Sequence, residues 1–307
     1  MKKINLVFFI FIVCLMISII ISPAKFLSAG LNGISAWAFC VLPTVLPFMI
    51  LSQLLLSTGC VEKICKPLTT PFRKIYNTSS YSPYVFLVSI VSGYPIGSKM
   101  IADLYEQGKI SRTDVYRMSS FCSNSGPMFI IGAVGCGMLF SPNAGYIILI
   151  SHILSAILNG LIYRKINAKD LQEKPLRQID HKHPTFADII ENSCKSILNV
   201  GTIIAFFFII IEFTNQIIFF LPSPIQSLFF GIIEITKGCQ SISQNFTIKM
   251  ATILSTAVIS FGGLSTILQS ITLLNRSKMS VWVFTLQKFT QSIIALCLSI
   301  ILSIFLL

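Results

Sequence analysis

The sequence predicts an all-α polytopic membrane protein of about seven transmembrane helices plus two re-entrant hairpins. Three observations carry this. The 307 residues are 54% hydrophobic and only 11% charged, with a mean hydropathy of +0.80, whereas an ordinary soluble domain is about 25% charged. Long uncharged runs recur at 4–21, 34–58, 118–163 and 197–211, and 281–307 holds a single lysine. The excess of 23 Lys and Arg over 11 Asp and Glu collects in short links between these runs, as expected of cytoplasmic loops.

That placement explains the net charge of +12 without nucleic acid; the bilayer is the partner it implies. The nine cysteines include Cys14, Cys40, Cys122, Cys136 and Cys297 inside apolar runs, where a thiol acts as a small hydrophobe. Cys60 and Cys65 flank Glu62-Lys63 with no second pair nearby, which is weak evidence for a metal. No cofactor is expected.

In chain order, residues 5–21 form a first helix with Lys2 and Lys3 holding its start in the cytoplasm. The apolar run is long for a signal peptide and Ser22-Pro23-Ala24-Lys25 is a poor cleavage site, so 1–25 is expected to be an uncleaved anchor. Residues 23–33 read as a short outer link, and 34–58 as a span kinked at Pro43 and Pro47. Lys63, Lys66, Arg73 and Lys74 return the chain to the cytoplasm. The run 84–101 is short and broken, and 103–117 reads as a solvated amphipathic helix started by a Ser111–Asp114 cap. With both flanks cytoplasmic, 84–101 is a re-entrant hairpin.

A third span, 121–140, passes through uncharged Ser141-Pro142-Asn143 on the outer face to a fourth, 144–163. Arg164, Lys165, Lys169, Lys174, Arg177 and Lys182 mark a cytoplasmic basic linker over 164–185. Span five covers 197–220, a second interrupted piece 225–235, span six 250–274, and span seven 282–305, with Arg276 and Lys278 between the last two.

The segments 26–163 and 186–307 thus present the same order of parts starting from opposite faces, an inverted-topology repeat whose broken pieces meet near the midplane. Residue identity between them is faint, Phe26 and Asn32 lining up with Phe186 and Asn192. Seven helices with two ordinary surface loops is the competing reading.

The breaks are the informative residues. A mid-helix Gly costs about 1 kcal/mol and a Pro about 3 kcal/mol relative to Ala. At membrane depth such breaks survive only when packed in protein or lining a polar cavity. One break is Ser92-Gly93-Tyr94-Pro95-Ile96-Gly97-Ser98-Lys99 and another Asn124-Ser125-Gly126-Pro127; Glu234-Ile235-Thr236-Lys237-Gly238 and Phe261-Gly262-Gly263-Leu264-Ser265 belong to the second half.

These four motifs, with Phe121-Cys122-Ser123 ahead of the second, resemble the sporulation integral membrane proteins of the YlbJ (SpoVV) type, in the nucleoside-recognition "Gate" domain superfamily. The likeness runs in order along nearly the whole chain. It implies a fold distantly like that of concentrative nucleoside transporters. It also implies a bacterial inner-membrane carrier of a small organic anion, exporting dipicolinic acid from the mother cell across the outer forespore membrane. A non-transporting sporulation scaffold or maturation factor, or a nucleoside-type carrier, is the alternative.

Dipicolinate is a flat ring with two carboxylates. Helix N-termini with free N–H groups suit it. Gly93, Gly97, Gly126, Gly238, Gly262 and Gly263 would admit it to the backbone, and Ser92, Ser98, Asn124, Ser125, Thr236 and Ser265 would donate hydrogen bonds. Lys99 and Lys237 could counter one carboxylate each, or merely anchor the hairpins. Tyr94 and Pro95 complete the first break. Gly93-x-x-x-Gly97 also reads as a small-residue helix contact, and Gly132, Gly135 and Gly137 as packing alone.

Glu234 is an intramembrane carboxylate, a functional candidate by default, which could bind a coupling proton or cation or pair with Lys237. With Glu212, an interfacial acid on the bland reading, it keeps the nucleoside reading alive. His152, alone in an apolar helix, is expected to be a hydrogen-bonded core residue, and His181-Lys182-His183 to be linker. No H-E-x-x-H, G-x-S-x-G or intramembrane Ser–Lys or paired-Asp arrangement is present, so the chain is not expected to be an enzyme. The sequence leaves homo-oligomerisation open.

Overall fold

The computed structural model describes residues 3–58, 60–167 and 185–306, so most of the basic linker, including His181-Lys182-His183, lies outside the described residues, as do Lys2 and the side chains of Cys60 and Cys65. The described residues are helical and include no strand. The helices are α1 (Lys3–Ile21), α2 (Pro23–Ala36), a π turn (Trp37–Val41), α3 (Leu42–Ser57), α4 (Cys60–Tyr76), α5 (Ser82–Ser92), α6 (Ile96–Glu106), α7 (Arg112–Ser119), a wide π-helical run (Met128–Met138), α8 (Pro142–Tyr163), α9 (Phe186–Ile218), α10 (Ser223–Ile233), α11 (Ile235–Asn245), α12 (Ile248–Phe261), α13 (Gly263–Leu274) and α14 (Val281–Leu306).

Four helical stretches among the described residues are long and apolar enough to cross a bilayer: α8, α9, the broken pair α12–α13, and α14. A fifth candidate pairs α1 with 23–41, bent by 106°. The chain is an all-α membrane protein, and it departs from the sequence expectation in several elements; the one helix expected over 103–117 is divided between the end of α6 and α7, with a turn at 107–110. Residues 23–33 are helix rather than a link, because Pro23 sits at the first helical position, where its missing N–H costs nothing. The span expected over 34–58 is divided by the π turn, with Pro47 inside α3. The span expected over 121–140 is helical only from Pro127 onward, because Ser123–Gly126 leaves the helix.

The starts of α7 and α9 follow from local chemistry. Ser111 and Asp114 form a reciprocal capping box, as do Thr185 and Asp188, each satisfying two orphan N–H groups. Trp37 lies flat over Gly201 of α9, where an added Cβ would stand 2.5 Å from the ring, and its indole N–H donates to the Ile197 carbonyl. This locks α2 and α3 along α9.

Two pairs of helices, α5/α6 and α10/α11, are each built from 11-residue arms. Both fold back so that entry and exit meet. The Ser79 N–H, just ahead of α5, donates to Asp114 of α7 at 2.9 Å. In the second pair the Ser227 and Ser241 hydroxyls are 2.8 Å apart, and the Asn245 amide donates to Ser227. The arms cross on small residues: a Cβ at Gly97 would stand 1.8 Å from the Cys122 carbonyl oxygen and 2.8 Å from the Ser89 Cβ, and one at Gly238 would stand 2.2 Å from the Gly231 Cα.

Polarity is arranged inside out. Phe39, Phe140, Trp282 and Phe305 are exposed, while Ser119, Asn124, His152, Asn159, Gln287, Lys288 and Gln291 are buried. A hydrocarbon surround accounts for both, since apolar side chains lose nothing there and polar ones must find partners inside.

Candidate functional site

The first hairpin turns at Gly93, whose φ of +76° suits only a residue without a Cβ. Its N–H still closes α5 on the Ser89 carbonyl. The tip lies against the second break: a Cβ at Gly93 would stand 2.6 Å from the Gly126 nitrogen. A similar close approach joins the α12–α13 break to the α10–α11 tip. Gly262 and Gly263 have φ of +91° and +64°, and a Cβ on Gly263 would approach the Ile233 carbonyl and the Glu234 Cα at 3.3 and 3.4 Å. The two assemblies meet at Tyr94, whose hydroxyl would lie 3.5 Å from a Cβ on Gly262.

Around this meeting point is a cavity of about 70 Å³ whose polar wall is Ser92, Tyr94, Ser125, Glu234, Thr236, Ser265, Thr266 and Gln269, with Gly93 and Gly126. Val41, Val45, Phe129, Val200, Ile204 and Ile235 form the apolar wall. The space admits a few waters, against about 300–1,000 Å³ for an ordinary ligand site.

Glu234 is 2% exposed and caps α11, its carboxylate accepting the Lys237 backbone N–H at 2.8 Å. The positive end of the helix favours the ionised form, and burial opposes it. Its side chain forms no ion pair with Lys237, in contrast to Lys195 and Glu191, which pair one turn apart on α9. Lys237 lines a separate pocket with Lys25, Asn32 and Glu212 between α2 and α9.

The other expected residues take supporting positions. Gly97 and Gly238 are the arm crossings. Ser98 faces the Ser123 hydroxyl at 3.5 Å. Asn124 is fixed behind the cavity, donating to the Ser89 hydroxyl and the Phe121 carbonyl. Pro95 is buried in the hairpin tip and Lys99 half-buried on α6; neither lines the cavity. The cavity wall therefore carries no Lys or Arg.

Sequence reasoning passed over the polar stripe of α14. Lys288 is 1% exposed; its ammonium donates to the Ser123 carbonyl at 2.6 Å and to Gln291 Oε1 at 2.7 Å. It faces the Tyr94 ring at 5.0 Å from the centroid. Gln291 in turn donates to Asn124. Gln287 donates to the Tyr116 carbonyl and accepts from the Ser119 hydroxyl, and Asn159 of α8 donates to the carbonyls of Ser120 and Gln287. The unwound stretch after α7 is thus tied from outside by side chains of the last helix. The signal was present in the sequence: Lys288 is the sole charge in 282–305, and the rule that singled out Glu234 applies to it equally.

His152 is fully buried, as expected of a core histidine. Its Nε2 accepts the Ser125 N–H at 3.0 Å. An acceptor at Nε2 leaves the proton on Nδ1, which donates to the Ser260 hydroxyl at 2.8 Å. The ring joins the second break to α12, two residues before Gly262.

No family model matches this chain, and no solved structure is similar to it. Among curated proteins, it is 26% identical over an alignment of 326 residues to the sporulation integral membrane protein YlbJ of Bacillus subtilis, covering 94% of this chain and 79% of that protein. Along nearly its whole length, therefore, and not at four motifs alone, the chain is similar to the YlbJ-type sporulation integral membrane proteins.

Proposed function

We propose that this protein is a sporulation membrane carrier that moves a small organic anion, dipicolinate, from the mother cell across the outer forespore membrane. The observation that carries the reading is the convergence of both broken helices and both hairpin tips on one polar cavity. The Gate-type likeness and the similarity to a sporulation membrane protein supply the biological setting and favour the aromatic diacid as guest. The halves face opposite ways across the bilayer, and the N-terminus and basic linker lie in the cytoplasm.

The cavity is smaller than the guest, so the hairpin tips part to admit it. Alternating exposure then comes from each hairpin withdrawing from the break of its own half. The purified chain in liposomes preloaded with dipicolinate is expected to exchange labelled dipicolinate across the bilayer. A well-folded sample that moves none would end the anion reading.

One observation favours a second reading. Glu234 and Gln269 are the carboxylate and amide of the cavity wall, and such groups recognise the hydroxyls of a neutral sugar. Labelled uridine in place of labelled dipicolinate separates the two: a nucleoside-type carrier exchanges it, and a dipicolinate carrier does not. A non-transporting scaffold would give no exchange, and Asn124→Ala and Glu234→Ala would leave its sporulation phenotype intact.

A further inference from the structure

We propose that Lys288 is the cationic receptor for a guest carboxylate and that Tyr94 is the shutter over it. The inference rests on the anion reading and names the group which that reading lacks.

An anion entering the cavity meets Glu234 and no cation on the wall. A carboxylate brought into so confined a site without a counter-charge is costly, so an anion carrier needs a positive group within reach. Lys99 and Lys237 do not supply it, since neither lines the cavity and Lys237 lines a separate pocket with Glu212. Lys288 does lie one ring away: Tyr94 lines the cavity and its ring faces the ammonium.

The ammonium is bound in a way that leaves room for a guest. It has three donors. Two are used on neutral acceptors, the Ser123 carbonyl and Gln291, and the third direction is taken by the Tyr94 π face. A ring face is a weak partner for a cation, whereas a carboxylate makes a shorter, charge-assisted hydrogen bond about twice as strong as a neutral one. Guest oxygen replacing ring is therefore a favourable exchange at Lys288.

Tyr94 is suited to move. Its hydroxyl is buried without a hydrogen-bond partner, so the far end of the ring is not fastened. The residue follows Gly93, where the backbone already turns at positive φ. Swinging the ring away uncovers Lys288, enlarges the cavity and gives the hydroxyl an acceptor on the guest. The second carboxylate of a diacid then reaches the far wall, where Ser265 and Thr266 open the first turn of α13. Gln291 and Asn124 continue the hydrogen-bond chain from Lys288 to Ser89 of α5, so loading at Lys288 is felt by the arm that carries Tyr94.

The test uses the full chain in liposomes, with dipicolinate binding and exchange measured side by side. Lys288→Gln is expected to weaken dipicolinate binding at least a hundredfold, and Lys288→Arg to restore it to within tenfold. A folded Lys288→Gln protein that binds within threefold of wild type overturns the proposal while leaving the anion reading standing. A wild-type protein that binds no dipicolinate overturns both.

A second measurement does not depend on the lysine variants folding. In Tyr94→Ala, acylation of Lys288 by a small amine reagent, read by mass spectrometry of the α14 peptide, should rise at least tenfold over wild type. Dipicolinate should suppress it. Acylation that neither rises with Tyr94→Ala nor falls with dipicolinate also overturns the proposal.

Discussion

Gly97 and Gly132 show how differently two glycines in apolar helices can be used. A Cβ at Gly97 meets the Cys122 carbonyl at 1.8 Å, whereas one at Gly132 meets nothing closer than the Met128 Cε at 4.0 Å. Gly97→Ala is expected to cost about 1–3 kcal/mol by overpacking, seen as a lowered thermal midpoint in detergent, with Gly132→Ala within about 0.5 kcal/mol of wild type. The spacing Gly93-x-x-x-Gly97 announced a special site but not this division of labour, in which Gly93 makes the turn and Gly97 the packing contact. Glu234 offers a residue-scale test of the guest. Glu234→Gln, which replaces an acid by a neutral amide able to donate to a carboxylate, should tighten dipicolinate binding about tenfold, which is about 1.4 kcal/mol. Weaker binding would count for the sugar-like guest instead.

Among the elements, α14 changes most between sequence and structure. As an apolar run it reads as a closing span; as a packed helix it presents Gln287, Lys288 and Gln291 to the unwound stretch after α7. Periodicity shows that these residues share a face, but it cannot show which distant loop that face will meet. The interrupted pieces were easier to read, because Gly and Pro act on the backbone where they stand. Gln287→Leu strips one partner each from the Tyr116 carbonyl and the Ser119 hydroxyl, which keep their 3.1 Å contact with each other, and the loss is expected to cost about 1–3 kcal/mol. Gln287→Leu is therefore expected to lower the thermal midpoint more than Leu286→Ala on the exposed face of the same helix, and an equal effect would remove α14 as the tie. The π-helical run after Pro127 had no legible signal beyond its glycines.

For the whole molecule, composition alone specified the class, because hydrocarbon admits few arrangements of backbone. The count of spans was less legible. Hydropathy registers that a run is apolar, not that it is cut by a π turn at Trp37–Val41 or unwound before Met128. The proposed topology is checked by labelling single cysteines with a reagent that cannot cross membranes. Ser79→Cys and Gly108→Cys flank the first hairpin and should both react only from the cytoplasmic side. Asn143→Cys should react only from the outer side, and opposite reactivity at Ser79 and Gly108 would make α5–α6 a crossing rather than a hairpin.

The bond from Lys288 to Ser123 spans 165 residues of chain, and this bears on biosynthesis. By the time the ribosome has delivered α14, α7 and the loop after it have long since entered the bilayer with the Ser123 carbonyl untended. That loop has to wait in a provisional shape, shielded by neighbouring chain or by the insertion machinery, until the final helix arrives to fasten it. A nascent chain arrested ahead of Val281 should accordingly be cut by protease within 120–127, and release to full length should close that window.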